Sequence, residues 1–212
     1  MKAGGILTGW ILWGLIITGI TVADSSKDIV LPSPLIQGGK PLMEALRDRQ
    51  SLRSFSEKKL PLPLVSNLLW AAFGINRPET GRRTAPSAVN WQETDLYVAM
   101  KDGLYLYDAL GHRLIFKQQG DLRAACGIQD FVKTAPLVLV FVADYSKMEG
   151  DKKDFYSATD VGYISQNVYL FCASENLATV VLGMVDKPAL AAKIGLNPDQ
   201  RVILSQPVGY KK

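Results

Sequence analysis

The 212-residue chain contains a single histidine, His112, and only two cysteines, Cys126 and Cys172. One histidine excludes a histidine-rich metal centre and leaves little basis for a Ser-His-Asp or Cys-His mechanism. The two cysteines are far apart and in no metal-ligand spacing. Charge is also sparse: 24 Lys and Arg against 20 Asp and Glu give a net +4, and the cations are scattered. Nucleic-acid binding calls for a basic stripe with interleaved aromatics, and the chain has none. No Gly-x-Gly-x-x-Gly follows a first strand, which argues against a dinucleotide-binding Rossmann unit. Internal repeats and low-complexity segments are absent too. With 48% hydrophobic and 21% charged residues, what remains is a globular composition long enough for one domain with a sizeable core.

The rare residues have ordinary readings. His112, in Leu-Gly-His-Arg-Leu, reads as a solvated histidine in a turn entering a strand. Cys172, in the apolar run Tyr-Leu-Phe-Cys-Ala, reads as a small buried hydrophobe. In an exported protein a disulfide with Cys126 is permitted, but sequence alone does not establish the required approach.

Export is suggested by the first residues. Lys2 precedes an uncharged apolar stretch from Ile6 to Val22, followed by Thr21-Val22-Ala23-Asp24. A basic start, an apolar region and small residues before a break describe a secretory signal, with cleavage expected after Ala23. The competing reading is a retained membrane anchor, for which the stretch is short and Gly9, Gly14 and Gly19 are poor helix formers. No twin arginine precedes the stretch, and no lipid-attachment cysteine lies near the break. Either way the remainder is expected outside the cytoplasm, in the periplasm or extracellular space.

Beyond residues 1–23, Pro32, Pro34, Gly38-Gly39 and Pro41 mark residues 24–41 as a linker or extended arm, leaving 42–212 as the folded domain. Leu42, Ala45, Leu46 and Arg49 fall at helical spacing, predicting a short helix that ends near Ser51. Leu60-Pro61-Leu62-Pro63 opens a second helix with Val65, Leu68, Leu69 and Ala72 on one face and Gly74 as its stop. Residues 76–87 read as a loop. Strands are predicted at 95–100, 103–108 and 113–117, the first two joined by a hairpin. A short helix is expected over 121–126. The run Leu-Val-Leu-Val-Phe-Val within 136–143 predicts a central strand buried on both faces. Residues 157–175 predict the longest helix, apolar nearly all round. A strand or extended turn follows at 178–184, a helix at 188–194 closed by Gly195, and a last strand at 202–208. Strands and helices do not alternate regularly, so the expected fold is α+β, a mixed central sheet flanked by helices.

Two segments carry the candidate chemistry. In Arg49-Gln50-Ser51-Leu52-Arg53, two guanidinium groups four apart on a helix end, with a hydroxyl between them, could clamp a phosphate. The alternative is a solvated basic helix end favoured by the helix dipole. In Pro86-Ser87-Ala88-Val89-Asn90-Trp91-Gln92, the Asn90 amide can donate and accept at once, as a ring edge of alternating carbonyl and N–H groups requires. Equally, it could cap its own loop.

In this order and at this separation, the two segments resemble the flavin-binding stretches of the nitroreductase family, Arg-x-Ser-x-Arg and Pro-Ser-Ser-x-Asn-x-Gln. Asp160-Val-Gly162 with Gln166-Asn167 is similar to the start of the family's central helix, and Leu182-Gly183 resembles the segment over the flavin's reactive face. Gly120-Asp121-Leu122-Arg123 and Pro207-Val208-Gly209-Tyr210 resemble the branch of azoline dehydrogenases of peptide-toxin biosynthesis. The resemblance covers about residues 42–210. It implies that Arg49, Gln50, Ser51 and Arg53 hold the phosphate and ribityl of FMN. It further implies that Ser87 and Asn90 meet the isoalloxazine edge, and that backbone groups of Leu182 and Gly183 bond near the hydride-accepting nitrogen.

The implied activity is that of an FMN-dependent oxidoreductase and homodimer. Electrons pass in two steps from a reduced donor, NAD(P)H by analogy, to a small electrophilic acceptor such as a nitroaromatic or quinone. No catalytic side chain is implied, because the flavin supplies the redox chemistry. The alternative is a flavin- or ligand-binding protein without turnover. The chain departs from the pattern at three places. Gln50 stands where many members have Arg. The chain ends at Lys211-Lys212, without the segment that often crosses to the partner. Residues 148–156 lack the adjacent Lys-Tyr pair of the azoline branch.

Overall fold

The computed structural model describes Met1 and residues 27–212. The apolar stretch and the expected cleavage point lie outside the described residues. In chain order the elements are β1 (Ile29–Val30), α1 (Leu42–Asp48), α2 (Leu62–Phe73), β2 (Ile75–Arg77), β3 (Arg82–Arg83), β4 (Thr94–Met100) and β5 (Gly103–Asp108). They continue with β6 (Arg113–Gln119), β7 (Leu137–Asp144), α3 (Lys153–Ser174), β8 (Leu177–Thr179), α4 (Lys187–Lys193) and β9 (Gln200–Tyr210). Seven strands form one sheet in the order β1-β6-β5-β4-β7-β9-β8. The expected α+β arrangement is present. The sheet, expected as mixed, is antiparallel in every ladder.

β7 shows how the sequence builds the layers. Its side chains alternate across the sheet. Leu137, Leu139 and Phe141 enter one core while Val138, Val140 and Val142 enter the other. A strand covered on both faces needs a continuous apolar run, and β7 lies mid-sheet between β4 and β9. The first core is closed by α2 and α3, through Leu68, Leu69, Val161, Ile164 and Val168. The second is closed by Leu190 of α4 and by the short 3-10 turns holding Cys126 and Val132. Fully burying each such aliphatic side chain contributes roughly 1.5–3 kcal/mol. α2 runs from the Pro61 cap to Gly74, as its apolar spacing predicts.

Several expectations are corrected. α1 stops at Asp48, because Arg49 already has extended backbone (φ −60°, ψ 120°). The stretch 76–87 holds a small hairpin, β2–β3. α3 is not apolar all round: it buries one stripe and leaves Phe155 and Tyr163 exposed at 64% and 48%. The run of large side chains at 168–173 masks the polar face opposite. Cys126 and Cys172 are both free and buried, one in each core, so the sheet separates them.

His112 does lie in the turn entering β6, but it is half-buried and bonded, not solvated. Its Nε2 lies 2.7 Å from Ser66 Oγ on α2 and 3.2 Å from the Pro32 carbonyl, and its Nδ1 lies 3.0 Å from the Tyr107 hydroxyl. It thereby pins the arm that carries β1, which pairs with β6 through Ile29 and Val30. Among the described residues, no helix is long and apolar enough to cross a membrane.

Candidate flavin site

The helix ends before the segment, so Arg49, Ser51 and Arg53 do not share a helical turn: Arg49 and Ser51 both meet Tyr169, while Arg53 lines a cleft with Lys212. Leu52 lies between Ser51 and Arg53, packs on the second core and donates its N–H to the Thr179 carbonyl of β8 at 2.9 Å. Phe55, only 3% exposed, bridges to Lys211 in antiparallel fashion. Ser51 Oγ lies 2.8 Å from the hydroxyl of Tyr169 on α3, and the Arg49 guanidinium lies 5.2 Å from the centre of the same ring. Neither Arg49 nor Arg53 has a carboxylate partner among the described residues. Two cations left without counter-ions suit an anionic ligand. Arg53 and Lys212 line one cleft of about 470 Å³, together with Ser54, Ser56 and Glu57. A larger cavity, about 560 Å³ beside Lys58 and Met100, contains none of these candidates. Gln50 is exposed.

Tyr169 also ties this clamp to the segment after β8, since its hydroxyl accepts the Val181 N–H at 2.9 Å. Leu182 exchanges both backbone hydrogen bonds with Ser205 of β9, at 2.8 and 3.1 Å. Its N–H is therefore committed. The Gly183 N–H has no acceptor among the described residues, and Gly183 is exposed. Of the two sequence candidates, Gly183 is thus the one with a donor available for a ligand. Sequence reading passed over Tyr169 as one more apolar helix residue. The available signal was that a buried tyrosine hydroxyl requires a partner.

The second half is the loop from Ser87 to Gln92. Val89, Asn90 and Gln92 all lie in the left-handed region, at φ 52°, 60° and 48°. For side chains other than glycine this costs roughly 1–2 kcal/mol per residue, and a β-branched valine is a true outlier there. The surroundings hold the strain. Ser87 Oγ accepts the Gln92 N–H at 3.0 Å, and Asp160 Oδ2 on α3 accepts the Ala88 N–H at 2.8 Å. Gln92 Oε1 accepts from Arg83 Nε at 2.7 Å, while Gln92 Nε2 donates to the Gly81 carbonyl and to Asn90 Oδ1, both at 3.2 Å. Arg83 in turn donates to the Phe73 carbonyl at 2.9 Å and stacks 4.4 Å from that ring's centre. The outcome is an exposed Asn90 whose amide nitrogen remains unbonded, beside a Val89 that is 84% exposed. Held strain of this kind accumulates where a chain meets a ligand.

The two halves leave opposite flanks of α3. Asp160 and Tyr169 are nine residues apart, roughly two and a half turns and about 13–14 Å along the axis. Both are buried at the edges of the helix's sheet-facing stripe. The structure therefore brings Arg49, Ser51 and the segment beginning at Val181 together through Tyr169, while Arg53 lines the cleft with Lys212. It does not bring Ser87 and Asn90 to them within one chain. Among the described residues no group of three or more His, Cys, Asp or Glu could hold a metal.

The sequence model of the nitroreductase family matches residues 46–210. The chain belongs to the nitroreductase family. A provisionally named nitroreductase of Methanocaldococcus jannaschii is 34% identical over 155 residues, covering 67% of this chain and 78% of that one. A crystal structure from Ralstonia eutropha JMP134, also provisionally described as a nitroreductase, is 44% identical with a TM-score of 0.84. It covers 90% of this chain and 92% of its own. A Desulfovibrio desulfuricans structure described as a nitroreductase in complex with FMN shares the fold at 20% identity and a TM-score of 0.60, over 82% of this chain and 88% of that one. Family membership gives the clamp, the Asn90 loop and the Gly183 segment a common context.

Proposed function

We propose that this nitroreductase-family protein is an FMN-dependent oxidoreductase. The observation that carries the reading is the pair Arg49 and Arg53, without a carboxylate partner among the described residues, flanking Ser51 in one short segment. The donor set fits the cofactor: guanidinium groups for a dianionic phosphate, a hydroxyl for the phosphate or ribityl, and an available N–H at Gly183 for an acceptor nitrogen. FMN, when bound, would supply the redox chemistry between a reduced donor such as NAD(P)H and a small electrophilic acceptor. The protein's own groups neutralise the phosphate and orient the ring. Gly183, with an unbonded N–H among the described residues, would offer a donor to the bound ring.

The assembly we propose is a homodimer in which Asn90 of a second copy completes the site. Two features support it: the two halves lie on opposite flanks of α3, and the outer face of that helix exposes Phe155 and Tyr163 around the small residues Ala158 and Gly162. Leu42, Met43 and Leu46 of α1 extend the exposed apolar surface. We place the mature protein outside the cytoplasm after removal of residues 1–23, on the strength of the N-terminal pattern alone. Within the family, Gly120–Arg123 and Pro207–Tyr210 favour the neighbourhood of the azoline dehydrogenases. In the structure, however, Arg123 is engaged by Asp121 and the Ala135 carbonyl, and the Lys-Tyr pair is missing. We therefore assign no azoline oxidation.

FMN titration of the apoprotein tests the binding reading. Steady-state turnover of reduced nicotinamide with a nitroaromatic then separates an enzyme from a flavin carrier. Light scattering on the FMN-loaded protein tests assembly, and a monomer mass at micromolar concentration contradicts the two-copy site.

A further inference from the structure

The strained Asn90 loop rests on a buried pair of acids that the proposed reaction leaves unused. Asp160, 2% exposed, accepts the Ala88 N–H through Oδ2. Next to it is Glu93, the first residue after the loop and fully buried. Glu93 Oε1 accepts the Thr94 hydroxyl at 3.3 Å, and Oε2 has no donor among the described residues. Each of the two carboxyl groups bears on the titration of the other, Asp160 through its charge and Glu93 as a hydrogen-bonding neighbour. A carboxylate only accepts, so a bond between these two needs a proton on one of them. Asp160 is the better anion because it already takes an amide donor. Glu93 is the better acid because its Oε2 is otherwise unmatched.

The charges around the pair are few. Lys147, from the turn after β7, faces Glu93, but its Nζ is committed to Asp95 at 3.0 Å. Asp160 faces it from α3. Burial, with the neighbouring Asp160 charge adding to it, pushes the Glu93 carboxyl above the ordinary carboxylate range, and burial does the same to Asp160.

We propose that Glu93 and Asp160 are positioning residues for the flavin-contacting loop: Glu93 carries a proton and donates it to Asp160, whose carboxylate fixes the Ala88 amide and the left-handed run bearing Asn90. The link to flavin rests on the FMN reading above; the proton and the held amide do not. Because the folded protein holds the Glu93 proton more tightly than the unfolded chain, the stabilisation is complete below the ordinary glutamate range. It is lost as pH rises through the raised value. Deprotonation then places two like charges side by side in a buried site and loosens the loop on the alkaline side.

The experiment follows the full chain by NMR without flavin. The Glu93 carboxyl carbon should titrate clearly above the roughly 4.3 of a free glutamate. Hydrogen-exchange protection of the Ala88 amide should fall about tenfold across the same pH range. In Glu93→Gln the amide NH2 replaces the acid proton as donor, so protection should stay flat with pH; in Asp160→Ala it should be low throughout. A Glu93 midpoint in the ordinary range, or wild-type protection independent of pH, overturns the proposal. FMN affinity measured on the same samples should weaken on the same alkaline limb in wild type and not in Glu93→Gln. A protein that titrates as described but binds no FMN at any pH retains the acid pair and refutes only the flavin reading.

Discussion

Replacing Tyr169 with Phe removes one oxygen atom from the junction of the proposed site and leaves its ring in place. The hydroxyl joins Ser51 Oγ at 2.8 Å to the Val181 N–H at 2.9 Å, beside the backbone bond from Leu52 to the Thr179 carbonyl at 2.9 Å. Two hydrogen bonds are lost, each worth about 0.5–1.5 kcal/mol net. Ser51 is exposed and can turn to water, so its share is small; the half-buried Val181 amide bears more of the loss. The apoprotein should therefore lose about 1–2 kcal/mol in urea unfolding at unchanged m-value, or about 3–6 °C in melting temperature for a domain of this size. FMN affinity should drop roughly three- to tenfold, because Ser51 and Gly183 are no longer held in register. The Arg49 cation–π contact, 5.2 Å from the ring centre, survives the change and serves as the internal control. Equilibrium unfolding and flavin-fluorescence titration measure the two effects. Unchanged urea midpoint and unchanged affinity together refute the claim that Tyr169 couples the two segments.

Three further outcomes are expected. Arg53→Ala should weaken FMN binding by about 1.5–3 kcal/mol, the loss of one charge-assisted bond, and calorimetric titration checks it. Phe141→Ala, in a strand buried on both faces, should cost about 3–5 kcal/mol of stability with no specific effect on flavin binding once folded; denaturant unfolding decides. Burial lowers the His112 pKa below its ordinary value, with the Pro32 carbonyl partly opposing. Its stabilising share is then present above the unfolded histidine range and lost as pH falls through that range. Unfolding measured from pH 7.5 to 5 should show this acid loss in wild type and less of it in His112→Gln.

The layers were legible where local pattern and tertiary burial agree. The doubly buried β7, the β4–β5 hairpin and the Pro61-to-Gly74 limits of α2 all follow from period and punctuation. The end of α1 was not legible, because Arg49 and Ser51 have no helix-breaking chemistry of their own; pairing of Leu52 with Thr179 sets the extended path. Residue order pointed to Arg49, Ser51, Arg53, Asn90 and Gly183 as candidates. It could not show that Arg49 and Ser51 meet at Tyr169, or that Leu182 has spent its N–H on Ser205. The supports were hidden for the same reason. Tyr169, Asp160 and Glu93 acquire their roles only through partners far away in sequence, and the turn residue His112 is drawn out of solvent by Ser66, Pro32 and Tyr107.

The most direct test of the account is the visible absorbance spectrum of the purified protein, recorded before and after incubation with FMN and removal of the excess. The account predicts a flavin band that persists through desalting, is released on denaturation, and belongs to FMN and not FAD. A colourless protein that retains no FMN after incubation contradicts it.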